Sequence, residues 1–364
     1  MRASTRSLFH ANIFLAAFIL LFGPLLSFAD STTTKERTIT KLAEGVYEIR
    51  HPDAPDGFPQ GNTTVVIGEK GVLVVDSCLL PSSTKQDIEQ IRKWTSKPVV
   101  YLVNTHWHFD HTLGNATYQS AFPGLQIIAH RHTAKMLAEW NPGAMERYPG
   151  RVGRFKTLLE SGKKPDGTPM TDGDRRDFQK AIDGNGAVSA EMKNATQAMA
   201  NITFDHELSL DLGNRPVEVK FLGRANTAGD TVIYLPKEKI IAVGDILDHP
   251  VPYMFGGFPM DFVSTLQALA EFDVQTIVPG HGDVQRDKTY IVQVIDLMKA
   301  VNQEVEKELN TGKTPEEVTA ALPKTFDVQS WRQKFVGADQ DDIDFFNSSF
   351  EGLVKASVNQ VRMR

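Results

Sequence analysis

Apolar and polar positions along the chain follow two periods in turn. Short β-rich runs, Val46 to Arg50, Thr63 to Ile67 and Val72 to Val75, are separated by turn residues, and Gly68-Glu69-Lys70-Gly71 reads as the hairpin turn between the last two. A helix follows, opened by Pro81-Ser82-Ser83 and carrying Ile88 and Ile91 on one face. It ends near Thr95 and leads into an unbroken apolar run, Pro98 to Val103, which reads as a buried strand. Strand, helix, strand is an α/β order. From Asn141 to Leu208 the pattern breaks up: Pro142-Gly143, Pro149-Gly150, Lys163 to Asp166 and Asp172 to Arg176 interrupt helical pieces such as Ala187 to Ala200. The stretch is too long for a plain connection and predicts an inserted helical cap; a surface insertion with no part in a site is the alternative. β structure returns at Val217 to Leu222 and in a hairpin of Thr231 to Leu235 with Lys239 to Val243. A helix over Phe262 to Phe272 precedes a last strand, Thr276 to Val278. Ile291, Val294, Ile295, Met298, Val301 and Val305 then keep helical spacing, so residues 286–364 read as a helical extension.

The N-terminus changes the picture. Arg2 and Arg6 precede an apolar run from Ile13 to Leu26, and Ser27-Phe28-Ala29 places small residues where a signal peptidase reads. This predicts a signal peptide over residues 1–29, cleaved after Ala29, and an exported protein, periplasmic or secreted. The run is short for a full membrane span; an uncleaved anchor is the alternative. Cleavage removes Arg2 and Arg6 and no acid, which takes the formal net charge from −6 to −8. An acidic chain without a Lys/Arg block argues against nucleic acid as a partner. No membrane is expected once the signal is gone, and a small-molecule substrate is. Cys78 is the only cysteine, so there is no internal disulfide, and its neighbours Leu79-Leu80 suit a small buried filler.

The densest chemistry is Thr105-His106-Trp107-His108-Phe109-Asp110-His111, directly after the Pro98 strand. In an extended backbone His106 and His108 point the same way. Asp110 and His111 follow where the chain turns and reach a second point beside the first. Imidazole and carboxylate are the usual protein ligands of zinc.

Joined to Asp76, Gly229-Asp230, Gly244-Asp245 and Pro279-Gly280-His281-Gly282 in that order, the H-x-H-x-D-H motif resembles the metallo-β-lactamase superfamily, over about Gly45 to His281. The resemblance implies an α/β fold, the αββα sandwich, in a domain over 30–285. The helical insertion at about 141–208 lies within it, and the C-terminal helical extension over 286–364 follows. It also implies two metals. One takes His106, His108 and a third histidine from a G-x-x-H-[ST]-x-G-[DN] loop; the other takes Asp110, His111 and His281. Asp245 bridges them, and Asp76 braces the metal loop through hydrogen bonds. Here the loop reads Gly223-Arg224-Ala225-Asn226-Thr227-Ala228-Gly229-Asp230, with Asn226 where histidine is expected. An amide oxygen is neutral and hard, suited to calcium or magnesium more than to zinc. The expectation is one tight Zn2+ at the complete set and a second that is weaker or absent, with Asn226 as a weak ligand or a hydrogen-bond partner to bound water. His249 is a candidate substitute ligand; capping the following turn is its other reading.

The activity implied is hydrolysis: a metal-bound hydroxide attacks the carbonyl of an ester, lactone, thioester or β-lactam, with Asp110 orienting it or accepting its proton. The aspartate at 245 is similar to glyoxalase II, lactonases and phosphodiesterases, whereas the best-known secreted β-lactamases carry cysteine there. β-Lactamase proper is therefore an alternative. So are an iron-dependent oxidoreductase of the same fold, against which Asn226 and His108 speak, and a weakly metallated binding protein without turnover, against which the complete second set speaks. Phe58, Trp107, Trp140, Tyr253, Phe255 and Phe258 offer an apolar wall for the mouth.

Overall fold

The computed structural model describes residues 36–164, 167 and 169–363; the expected signal segment lies outside them. The first half runs β1 (Thr38–Ala43), β2 (Val46–Arg50), β3 (Thr63–Ile67), β4 (Val72–Val75), α1 (Pro81–Trp94), β5 (Val99–Asn104), α2 (Phe109–Thr112), α3 (Asn115–Ala121), β6 (Gln126–His130) and α4 (Arg131–Glu139). The insertion supplies α5 (Asn141–Arg147), α6 (Arg151–Ser161) and α7 (Asp172–Asn194). The second half runs β7 (Ile202–Phe204), β8 (Glu207–Asp211), β9 (Pro216–Phe221), β10 (Thr231–Leu235), β11 (Ile240–Asp248), α8 (Pro259–Ala270) and β12 (Thr276–His281). The extension is α9 (Thr289–Asn310), α10 (Pro315–Thr325), α11 (Val328–Phe335) and α12 (Gln340–Met363).

Strands β1 to β7 form one sheet in sequence order, antiparallel from β1 to β4 and parallel from β4 to β7. The other sheet has the order β12-β11-β10-β9-β8, with β11 and β12 parallel and the rest antiparallel. Alternation along β4 explains the layering. Leu73 and Val75 point between the sheets, where they meet Val219, Ile233, Ala242 and Val278. Val72 and Val74 point the other way, onto Ile88 and Ile91 of α1 and Tyr118 of α3. On β11, Ile240 and Ala242 face the inter-sheet layer, and Ile241 and Val243 face α8, α9 and α12 through Leu266, Val294 and Leu353. Strands buried on both faces read as continuous apolar runs. The result is helix, sheet, sheet, helix, with the C-terminal extension forming part of one outer layer.

The insertion differs from its sequence reading. α7 begins at Asp172, inside a stretch read as a break, because Thr171 and Asp174 form a reciprocal capping box. It ends at Asn194, so Ala195 to Ala200 is not helical. The inserted helices are tied down. Arg151 of α6 pairs with the buried Asp56, which also accepts from the Tyr148 hydroxyl at 2.6 Å, and Glu191 of α7 accepts from Ser82 N and Oγ, both at 2.9 Å.

Candidate metal centre

The donors arrive from four places. The turn after β5 supplies His106 and His108, α2 supplies Asp110 and His111, β11 supplies Asp245, and the end of β12 supplies His281. His111 Nε2 lies 3.1 Å from His281 Nε2, 3.5 Å from Asp110 Oδ2 and 3.0 Å from Asp245 Oδ1. His281 Nε2 lies 3.2 Å from Asp110 Oδ2 and 3.8 Å from Asp245 Oδ1. Donors held at ~2.0–2.1 Å around a tetrahedral zinc stand about 3.3 Å apart. This half therefore has the spacing of a zinc shell.

The other half brings fewer donors together, and His108 joins none of the close groups of three among the described residues. His106 Nε2 is 3.1 Å and His108 Nδ1 3.8 Å from Asp245 Oδ2. Asn226 sits in the third-ligand place and donates from Nδ2 to that same oxygen at 3.3 Å. Turned about its Cγ, the amide offers Oδ1 at the same point, so both expected roles of Asn226 stay within reach.

Two observations test whether these residues suit a cation. His106 Nε2 and Asp245 Oδ1 are buried without a hydrogen-bond partner, though other donors stand within about 3 Å of each. The charges agree. Burial resists ionisation of Asp245, yet His111 and His106 hold its carboxyl well below the usual range. Burial likewise resists charge on Asp110, and His111 and His281 bring it down to about 2. His111 is raised well above its ordinary value by Asp245 and Asp110, against burial. Protons held this way are what a metal displaces on binding. The residues fit a metal.

Asp76 sets two of the imidazoles. It accepts from Thr105 N at 2.8 Å, from the Thr105 hydroxyl at 2.7 Å and from His111 Nδ1 at 2.9 Å. That turns His111 Nε2 toward the centre as the nitrogen a metal would take. The Thr105 hydroxyl, committed to Asp76, accepts from His106 Nδ1 at 3.0 Å and so turns His106 Nε2 the same way. Gly61 packs so close to the His111 ring that a Cβ there would collide with it, and its N–H donates to Asp110 O at 3.1 Å.

Several supports were not legible in the sequence. Asn141, fully buried at the start of α5, donates to Trp107 O at 3.0 Å and so holds the metal loop from the insertion. His51 stands behind Gly61, with Nδ1 2.9 Å from Gly61 O and Nε2 2.9 Å from Asp87 Oδ2, and Arg37 pairs with the other Asp87 oxygen. Cys78 is buried as expected, but beside His51 and Asp87 rather than in purely apolar surroundings. Asp248 is buried next to Asp245 and His281, and burial with the Asp245 charge pushes its carboxyl well above the usual range. The three-residue spacing from Asp245 was its only sequence signal. His249 does not join the donors. Its Nδ1 faces Asp283 at 3.6 Å, and its ring lies edge-on to Tyr290.

Aromatic side chains flank the centre. The His108 ring lies 4.5 Å from that of Trp107 and 6.4 Å from that of Tyr253, and Tyr253 continues to Phe255 at 5.1 Å. Trp140 neighbours Trp107 at 6.3 Å, and Phe345 of α12 neighbours Phe255 at 5.8 Å. Phe58 packs instead on Phe109, its ring tilted at 32° with centroids 5.0 Å apart, and Phe258 carries the Arg224 guanidinium at 4.3 Å.

A family model, the metallo-beta-lactamase superfamily, matches residues 56–281. A metallo-beta-lactamase type 2 of Elizabethkingia meningoseptica is 22% identical over 79% of this chain and 95% of its own. Among solved structures, a metallo-beta-lactamase from Pontibacter korlensis aligns with a TM-score of 0.53 at 18% identity, over 72% of this chain and 99% of its own. The stereoselective inverting sec-alkylsulfatase of Pseudomonas sp. aligns with a TM-score of 0.60 at 15% identity, over 88% of this chain and 50% of its own.

Proposed function

The chain belongs to the metallo-beta-lactamase superfamily, and from that membership we propose that it is an exported, zinc-dependent hydrolase of an ester, lactone, thioester or β-lactam. The convergence of Asp110, His111, Asp245 and His281 at zinc-shell spacing carries the reading. Zinc, when bound, lowers the pKa of water toward about 7 and polarises a carbonyl oxygen. The remaining work falls to the chain itself. Asp110, held ionised by His111 and His281, orients the nucleophile as an acceptor and takes its proton in passing. Trp107, Tyr253 and Phe255 give the acyl group an apolar wall and exclude water around it. Asp76 and Asn141 keep the ligand loop in place. Export is supported by the pattern over residues 1–29, and among the described residues no helix is long and apolar enough to cross a membrane.

A second reading, cleavage of a sulfate ester, is favoured by the extension. The sec-alkylsulfatase match spans 88% of this chain, a share that residues 1–285 alone could not supply. Fold by itself does not choose between the two. The mature chain, loaded with zinc, is to be assayed on a nitrophenyl ester, a γ-lactone, a thioester, a chromogenic cephalosporin and an alkyl sulfate, beside chelated protein and folded Asp110→Ala. Turnover of one carbonyl class, lost in both controls, supports the proposal. Turnover of the alkyl sulfate alone selects the second reading, and turnover indifferent to zinc sinks both.

A further inference from the structure

Asp248 lies three residues beyond Asp245 on β11 and is the register partner of His281 on β12. It is only 3% exposed. Its Oδ1 accepts the His281 N–H at 3.1 Å, while its Oδ2 is buried with no hydrogen-bond partner. An oxygen of Asp248, an oxygen of Asp245 and a ring nitrogen of His281 all lie within 4.8 Å of one another. The backbone that carries it is held on two sides. The Tyr290 hydroxyl donates to Asp248 O at 2.5 Å, and the next residue's N–H donates to His281 O at 3.1 Å. A rigid, buried carboxylate oxygen with no donor is costly to keep. The groups beside it, Asp245 and His281, are candidate ligands of a cation.

We propose that Asp248 is a further metal ligand, its Oδ2 giving the cation of the complete half a fifth donor beside Asp110, His111, Asp245 and His281. The proposal rests on the metal-centre reading above and is independent of the substrate. Zinc expands from four donors to five without strong geometric preference. A third carboxylate makes this half the stronger cation site, while the half containing Asn226 has lost an imidazole. The sequence offered His249 as the compensating residue. The register of β11 against β12 brings in its neighbour instead.

The test titrates zinc into metal-free native protein, Asp248→Asn and His249→Ala against a competing chromophoric chelator. A crystal structure of the zinc-loaded native protein accompanies it. Asp248→Asn is expected to weaken the tighter site by at least about tenfold, the scale reached even by residues one step removed from a metal. His249→Ala is expected to leave that site unchanged. In the crystal, Asp248 Oδ2 is expected at about 2.0–2.2 Å from zinc. Unchanged affinity in Asp248→Asn overturns the proposal. So does an Oδ2–zinc distance beyond about 3 Å, even with weakened affinity, because the carboxylate then acts through water or through His281. If Asp248→Asn does not fold, the native crystal decides. Native protein that binds no zinc would take the hydrolase reading down as well, whereas a zinc site without Asp248 overturns this proposal alone.

Discussion

Replacing Asp76 with asparagine keeps the side-chain shape and removes an acceptor. The carboxylate serves three donors: Thr105 N on Oδ1, and the Thr105 hydroxyl and His111 Nδ1 on Oδ2. An amide has one oxygen, so in either orientation an N–H faces another donor inside the protein. Leaving one buried donor unmet costs about 1–3 kcal/mol. Without metal, the conflict is relieved when His111 gives up its Nδ1 proton: bare Nδ1 then accepts from the amide, and Nε2 keeps its proton toward Asp245 and Asp110. Zinc needs Nε2 bare, so the cost passes to zinc binding. A loss of about 1.4–2.8 kcal/mol is tenfold to a hundredfold in affinity, the range known for such partners. Competitive chelator titration reads it directly, beside thermal melting of the metal-free variant, which is expected within a few degrees of native. Zinc affinity within about twofold of native would refute the argument, because it would show that Asp76 does not set the His111 tautomer.

Asn226→His is expected to raise bound zinc from about one to about two per chain by elemental analysis after dialysis; two in the native protein would show that Asn226 does not weaken the first half. Arg151→Met strands the buried Asp56 without its cation and is expected to cost about 3–5 kcal/mol in urea unfolding. A loss under about 1 kcal/mol would mean that the insertion is not anchored there. Glu48 on β2 is pushed up from 4.5 to about 7 by burial. Ionising it in the fold is therefore unfavourable, and native stability falls by up to about 3 kcal/mol as pH rises from ~4.5 to ~7. Glu48→Gln should not show that fall, and parallel melting curves across the window would count against the assignment.

Much of the centre was legible because its donors are crowded in sequence. His106, His108, Asp110 and His111 lie within six positions, and the turn from strand to helix splits them toward two points. β2, β3, β4 and β10 were equally plain, since short runs of β-branched, aliphatic and aromatic residues between turn signals mark strands. The end of β11 was not. Gly244-Asp245 reads locally as a stop, yet the strand runs to Asp248 because parallel pairing with β12 continues to His281. α7 was obscured for a related reason: its first residues resemble a break until Thr171 and Asp174 cap each other.

The sequence by itself determined which residues are able to hold a metal, and it marked Asn226 as the departure. Only the tertiary structure decided what supports them. Asn141 reaches Trp107 across 34 positions, His51 reaches Asp87 across 36, and Asp248 reaches the His281 backbone across 33. Periodicity reports which face of an element is buried, and a motif reports donors that are neighbours in the chain. Neither records which strand the second sheet sets beside β11, and that pairing is what put Asp248, rather than His249, against Asp245 and His281.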